Sequence, residues 1–380
     1  MAIRKSVTNL TLAEKQEFIR GVKTLKTSPP LSIPGLTLTA TNRYDSFVEI
    51  HDRSMDTLTP DPSESGDPLG RNAAHQGPAF LPWHREFILR FEREMQIALG
   101  NNNFGLPYWD WAADSAIDDR SDPARSAMVV WREDFLGGQG NPVNTGEFRA
   151  GQWTIFPSGS LVRAFGQFVS GSTTVNTLPT QSDVNAALQI GAYDTAPWHS
   201  GSANSFRNQF EGWSPPLGLH NRVHLWVGGS MLPGTSPNDP VFFLHHCNVD
   251  RVWALWQACH PGVPFVPGDA VSGAPVGHRL NDRMFPWTTG SDHRIADLLD
   301  ISALGYSYED FHRRFVILHR QGSTDRFVSD TQVIQAVANC DTQNDTASTI
   351  FLPAAAGAKV RARFERAVND VLTDEMVVNP

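Results

Sequence analysis

A chain of 380 residues carries 31 lysines and arginines against 40 aspartates and glutamates, a formal charge of −9, with 40% hydrophobic and 19% charged residues. This composition supports a sizeable core and excludes disorder, collagen and coiled coil. The acidic balance, with no basic run, argues against nucleic acid or an anionic membrane as partner. No stretch approaches the roughly 18 apolar residues of a membrane span, and the opening MAIRKSVTNLTLAEKQ lacks the apolar core of a secretory signal. Three cysteines (Cys247, Cys259, Cys340) without a CxxC spacing set a reducing cytoplasm as the expected location, with export on a partner protein as the alternative.

In chain order, Thr11 and Glu14 fit a capping box opening a helix, with Leu12, Phe18, Ile19, Val22 and Leu25 at helical spacing until Pro29-Pro30. Tyr44 to Met55 reads as a second helix, with Tyr44, Phe47, Val48 and His51 on one face. Pro60 to Gly77 reads as loop. Phe80 to Leu99 is a long amphipathic helix carrying Phe87, Ile88, Phe91 and Met95. Residues 113–210 read as mostly loop, and Leu217 to Trp226 as a short helix stopped by Gly228-Gly229. Pro240 to Cys259 is a further helix, 261–290 loop, and Gly357 to Leu372 a last helix with Val360, Phe364, Ala367, Val368 and Val371 as its stripe. The expected fold is mainly α: a four-helix bundle with long irregular surface loops and little β.

Histidines gather on these helices. His220 and His224 stand four apart, which places both imidazoles on one helix face at chelating distance. A zinc-protease motif would need glutamate directly after the first, where Asn221 stands. His245 and His246 follow in an apolar helix, where a buried imidazole needs a partner. Successive positions point about 100° apart, so only one of the pair is expected to reach a metal shared with His220 and His224. The first half offers His51, His75 and His84. Two trios of imidazole with an open side suit copper; three-histidine zinc is the competing assignment, and it predicts a single site.

HQGPAFLPWHREFILRFEREMQ (75–96), LPYWDWA (106–112), LHNRVHLWVGGSM (219–231) and NDPVFFLHHCNVDRVWALW (238–256) resemble the two copper-binding signatures of the tyrosinases. These are type 3 dicopper proteins, a group shared with catechol oxidases and hemocyanins, and the likeness runs from Arg4 to Tyr308. The resemblance implies two copper ions with O2 as co-substrate. It implies His51, His75 and His84 as copper A ligands, and His220, His224 and His246, rather than His245, as copper B ligands. It further implies that Phe242 packs on the dicopper centre, that Asp250 orients an imidazole from behind, and that Arg4 and the Tyr306-Ser307-Tyr308 motif pin the ends of the core by stacking. Glu211, nine residues before His220, and Asn221 match the glutamate and asparagine that hold a water for substrate deprotonation. Residues 230–236 match the loop rimming the pocket.

Three departures stand out. Ala73 replaces the cysteine that many members crosslink to a copper A histidine. Cys247 beside His246 reads as an inert buried thiol. Leu225 replaces an often basic residue, which removes a charge near the substrate and leaves the efficiency of monophenol hydroxylation open. The implied function is copper-dependent oxidation of phenols and o-diphenols to o-quinones. The alternatives are an o-aminophenol oxidase and, less favoured because the rim loop is small, a hemocyanin-like oxygen carrier. The expected partners are a small phenolic substrate and a copper-delivery or export helper. Residues 1–310 form the expected catalytic domain, and 311–380 an extension packed on the core, with a lid over the site as the alternative.

Overall fold

The computed structural model describes residues 1–59, 71–115, 127–214 and 218–311, and beyond these the backbone of five short strands. The chain divides into two compact units: residues 1–251 with 264–306, and residues 252–263 with 307–380. The division falls four residues before the boundary expected from sequence, and it assigns a short internal segment to the second unit.

Helices dominate the first unit. The helix α1 (Leu12–Thr27) opens on the expected capping box, in which the Thr11 hydroxyl accepts the Glu14 amide (3.2 Å) and the Glu14 carboxylate accepts the Thr11 amide (2.9 Å). Its buried face is Phe18, Ile19, Val22 and Leu25, while Leu12 is exposed. Asn42 caps α2 (Arg43–Asp56), and α3 (Phe80–Leu99) ends on Gly100 in the left-handed conformation. A short α4 (Trp111–Asp114) follows. Within the stretch read as loop the structure places two further helices, α5 (Gln181–Leu188) and α6 (Phe206–Glu211), and a hairpin of β2 (Phe168–Ser170) and β3 (Thr173–Val175), numbered after β1 (Ala2–Arg4). Thr180 and Asp183 form a second capping box at the start of α5, a local signal that an eight-residue helix hides among polar neighbours. Then come α7 (Leu219–Val227) and α8 (Val241–Cys259).

Aromatic rings lock α2, α3 and the start of α8 together. Phe47 meets Phe87 edge-on at 5.5 Å, and Phe91 stacks on Phe243 at 3.5 Å. Tyr44 meets Phe91 at 6.0 Å and Phe243 at 5.8 Å. With α7 these helices make the four-helix arrangement expected from sequence. Among the described residues no helix is long and apolar enough to cross a membrane.

Charge is buried in this unit as well. Arg4 stacks on Tyr306 at 3.5 Å and donates to Glu92 and Asp250; Arg85 also donates to Asp250, as does the Tyr306 hydroxyl (2.6 Å). All five residues are at most 2% exposed. The stacking of Arg4 on Tyr306 is as expected, but the place of Asp250 is not: the carboxylate anchors two guanidiniums, while His246 Nδ1 is buried without a hydrogen bond. The role expected for Asp250, orienting an imidazole, is corrected to charge compensation.

The second unit corrects another expectation. Lys359–Glu365 is a strand, β8, antiparallel to β7 (Ala347–Pro353), with Ala347 opposite Glu365 and Pro353 opposite Lys359. KVRARFE alternates charged and apolar residues with period two, and that local pattern overrides the longer helical stripe. The strands β5 (Val316–His319), β6 (Arg326–Phe327) and β9 (Val377–Val378) form a separate small sheet; β4 is Tyr306–Tyr308. Ala367, Val368 and Val371 lie outside the described residues.

Candidate metal centre

Each histidine singled out in the sequence lands in one of two groups. His51 on α2, His75 in the loop before α3 and His84 on α3 form the first; His220 and His224 on α7 with His245 and His246 on α8 form the second. Within each group the donor atoms lie within 4.8 Å of one another. The two groups touch, since the His84 and His246 rings stack at 4.2 Å. Phe242 bridges them, 5.0 Å from His51 and 4.1 Å from His246. The structure thus brings His245 in beside His246, stacked on His220 at 5.2 Å, where one imidazole of the pair was expected.

Backbone carbonyls fix the tautomers. The Nδ1 of His51 donates to Gly234 (2.6 Å), that of His84 to Phe80 (2.8 Å) and that of His224 to Met231 (2.7 Å). His220 Nδ1 faces the Asn221 side-chain oxygen (3.0 Å) and the Glu211 carbonyl (3.3 Å). A carbonyl can only accept, so Nε2 of these rings carries the bare lone pair. In His51, His84 and His220 that atom is buried with no hydrogen-bond partner among the described residues. The His224 and His246 Nε2 atoms converge to 3.4 Å. Unpaired buried acceptors are costly, and a shared cation, or one N–H···N bond between His246 and His224, satisfies the converging pair. Neutral imidazole is a ligand for copper and for zinc.

The loop read as the pocket rim does much of this fixing, because it supplies both Met231 and Gly234. Its entry depends on Gly229, with φ +53°, where a side-chain carbon would come within 2.2 Å of the Val162 carbonyl. Cys247 points its thiol at the Leu106 carbonyl (3.2 Å), in keeping with an inert buried residue.

Glu211 is fully buried, at the end of α6. Burial raises its pKa above the ordinary carboxylate value, opposed by Arg207, the Gln76 amide and Trp213. Arg207 donates to it at 3.1 Å and the Gln76 N–H at 2.6 Å. Arg207 is itself clamped by Asp194 (2.8 Å). Sequence reasoning missed Arg207 because the stretch read as loop, although Arg207 stands one turn before Glu211 on α6; Asp194 was missed because it meets Arg207 only through the fold.

Burial holds every imidazole here below the usual histidine value, His51 down to about 3 and His224 to about 4. An unfolded histidine takes its proton near pH 6.5. Between that pH and about 4 the unfolded chain therefore binds more protons at His51 and His224, and stability is lost as pH falls. The metal-free protein should lose about 1.4 kcal/mol per such imidazole per pH unit in this window. Melting temperatures from pH 7 to 4 check this; a flat profile contradicts the burial of neutral imidazoles.

Residues 41–259 match the common central domain of tyrosinase. The tyrosinase of Streptomyces glaucescens is 42% identical over 313 residues, covering 80% of this chain and 97% of the relative. That of Streptomyces antibioticus is 41% identical over 310 residues, covering 79% and 97%. The grixazone synthase of Streptomyces griseus is 36% identical over 344 residues, covering 81% and 99%. Among solved structures, recombinant mushroom tyrosinase shares the fold with a TM-score of 0.52 at 16% identity, covering 89% of this chain and 65% of that one. A functional unit of octopus hemocyanin does so with a TM-score of 0.51 at 21% identity, covering 81% and 68%. Bare imidazole nitrogens in two touching groups and this degree of identity to bacterial enzymes point the same way: the chain belongs to the tyrosinase family, the type 3 dicopper oxidoreductases that use O2 on phenols.

Proposed function

We propose that the chain oxidises small phenols and o-diphenols to o-quinones with O2, holding one copper on His51, His75 and His84 and the other on His220, His224 and His246. The observation that carries this reading is the set of buried Nε2 atoms without a hydrogen bond in two histidine groups that touch where His84 stacks on His246 at 4.2 Å. Bound copper supplies the electron transfers that let O2 react with a phenol.

The protein's own part is to position the substrate and take its proton. A free phenol has a pKa near 10, so deprotonation matters most for monophenols. Glu211 is the base and Asn221 its neighbour beside His220. A carboxylate offers about four lone-pair directions. Arg207, the Gln76 amide and Trp213 take three, which leaves one for a proton arriving through water. Phe242 walls the site between the two groups. The burial of both groups also supports a copper-delivery or export helper as partner, since an entering ion must shed its water. Oxidation of o-aminophenols is the second reading, favoured by Leu225, which puts no cation beside His224.

Steady-state rates on a matched monophenol, catechol and o-aminophenol, per bound copper, test the assignment. Glu211→Gln should lose about 10²-fold or more on the monophenol and little on the catechol. It should also melt lower, by about 1–3 kcal/mol of stability, because an amide cannot accept from both Arg207 and Gln76. Equal losses on both substrates would make Glu211 purely structural.

A further inference from the structure

Three buried side chains from elsewhere in the chain hold the backbone that leads from His75 to His84. Glu211 accepts the Gln76 amide, the Tyr193 hydroxyl donates to the Pro78 carbonyl (2.7 Å), and His278 Nδ1 accepts the Ala79 amide (2.9 Å). His278 belongs to the 261–290 loop and is wholly buried. Its tautomer follows from its partners. Nδ1 accepts an N–H, so the proton sits on Nε2, which faces the Thr59 hydroxyl (2.8 Å) and the Asn72 carbonyl. The ring lies so close to Gly77 that a side-chain carbon there would come within 2.7 Å of it.

The place of this contact matters for two donors. Ala79 is the N-cap of α3 and has no capping side chain, whereas helix starts leave backbone N–H groups needing acceptors. The imidazole of His278 receives the amide that leads into the helix, and His84 stands one turn inside. On the other side of the contact, His75 is the member of its group whose Nδ1 has no partner among the described residues. No carbonyl orients its ring, and Ala73 rules out a thioether, so the direction of His75 depends on the loop backbone that carries it.

We propose that His278 is a positioning residue for the first copper: by accepting the Ala79 amide it fixes where the His75 loop turns into the His84 helix, and so the separation of those two donors. The proposal rests on the reading of His75 and His84 as ligands of one ion. His278 touches neither metal nor substrate.

Two amide side chains separate the ring's two sides. The oxygen of asparagine reaches the place of Nδ1 and keeps an acceptor for Ala79. The amide of glutamine reaches the place of Nε2 and keeps the links on that side, to Thr59 and the Asn72 carbonyl, but not the one to Ala79. The experiment uses the full chain with His224→Ala, which isolates the first copper, stripped of metal and titrated with copper against a competing chelator. His278→Asn should bind as its parent does. His278→Gln should bind about 10–100-fold more weakly, the usual effect of losing an outer contact on a metal site. Thr59→Val, which spares the Ala79 contact, should leave affinity unchanged. Equal affinities in the Asn and Gln variants, or a loss in Thr59→Val as large as in the Gln variant, would overturn the proposal, since packing alone would not tell the two nitrogens apart. His84→Ala in the same titration guards the underlying reading: if it keeps the first copper, the ligand assignment fails rather than the role of His278.

Discussion

His84→Ala and His224→Ala should each lower bound copper from two ions per chain to one and abolish catechol turnover. His84 belongs wholly to the first group and His224 wholly to the second, and each offers an Nε2 freed by a carbonyl on its Nδ1. Removing an outer contact already costs about 10–100-fold in metal affinity or activity; removing a donor from a three-imidazole set should exceed that. The stability that copper adds by binding only the folded chain should shrink in step. His246→Ala should behave likewise, whereas His245→Ala should keep both ions. Copper per chain by atomic absorption, with melting temperature before and after loading, decides. If both single-donor variants keep two coppers, the donor sets are wrong. If His245→Ala loses copper and His246→Ala does not, the ligand on α8 is the other imidazole.

Asp250→Ala should be the most destabilising polar substitution in the first unit. It strips a shared carboxylate from Arg4, Arg85 and the Tyr306 hydroxyl, all buried. Breaking a buried ion pair costs about 3–5 kcal/mol because the charge left behind is uncompensated. At roughly 2–4 °C per kcal/mol for a large domain, the melting temperature should fall by on the order of 10 °C. Asp250→Asn should fall less, because it keeps an acceptor. Copper affinity of the folded fraction should hardly change. Unchanged melting with weakened copper binding would restore the imidazole-orienting role and sink the one argued from these contacts.

The helices that carry the histidines were legible because their signals are local: His220 and His224 one turn apart, the apolar faces of α2 and α3, the capping box at Thr11. What escaped lies in long-range pairing or short elements. Asp250 sits one turn from His246 in sequence, and nothing in that spacing reveals that its partners come from positions 4, 85 and 306. His278 is a lone histidine in a loop, and its role exists only because the fold brings Ala79 and Thr59 to its two nitrogens. The helix α6, six residues long, shows too little periodicity to separate from the loop around it, yet it carries Glu211. At Lys359–Glu365 two periods compete, and the wider window favoured the wrong one.

The loop from Ser230 to Ser236 grips His224 through the Met231 carbonyl and His51 through the Gly234 carbonyl. Both grips are made by main-chain atoms, so they do not depend on the exposed side chain between them, although Gly234 has no room for a side chain beside Asp52 and Met231 is buried. Leu232, which lies between them and is 46% exposed, can therefore change identity while the imidazoles keep their orientation. Selection, or a protein engineer, can vary Leu232 to suit a bulkier or more polar phenol without rebuilding the metal centre. An insertion or deletion between Met231 and Gly234 has no such freedom, because it would move one grip relative to the other.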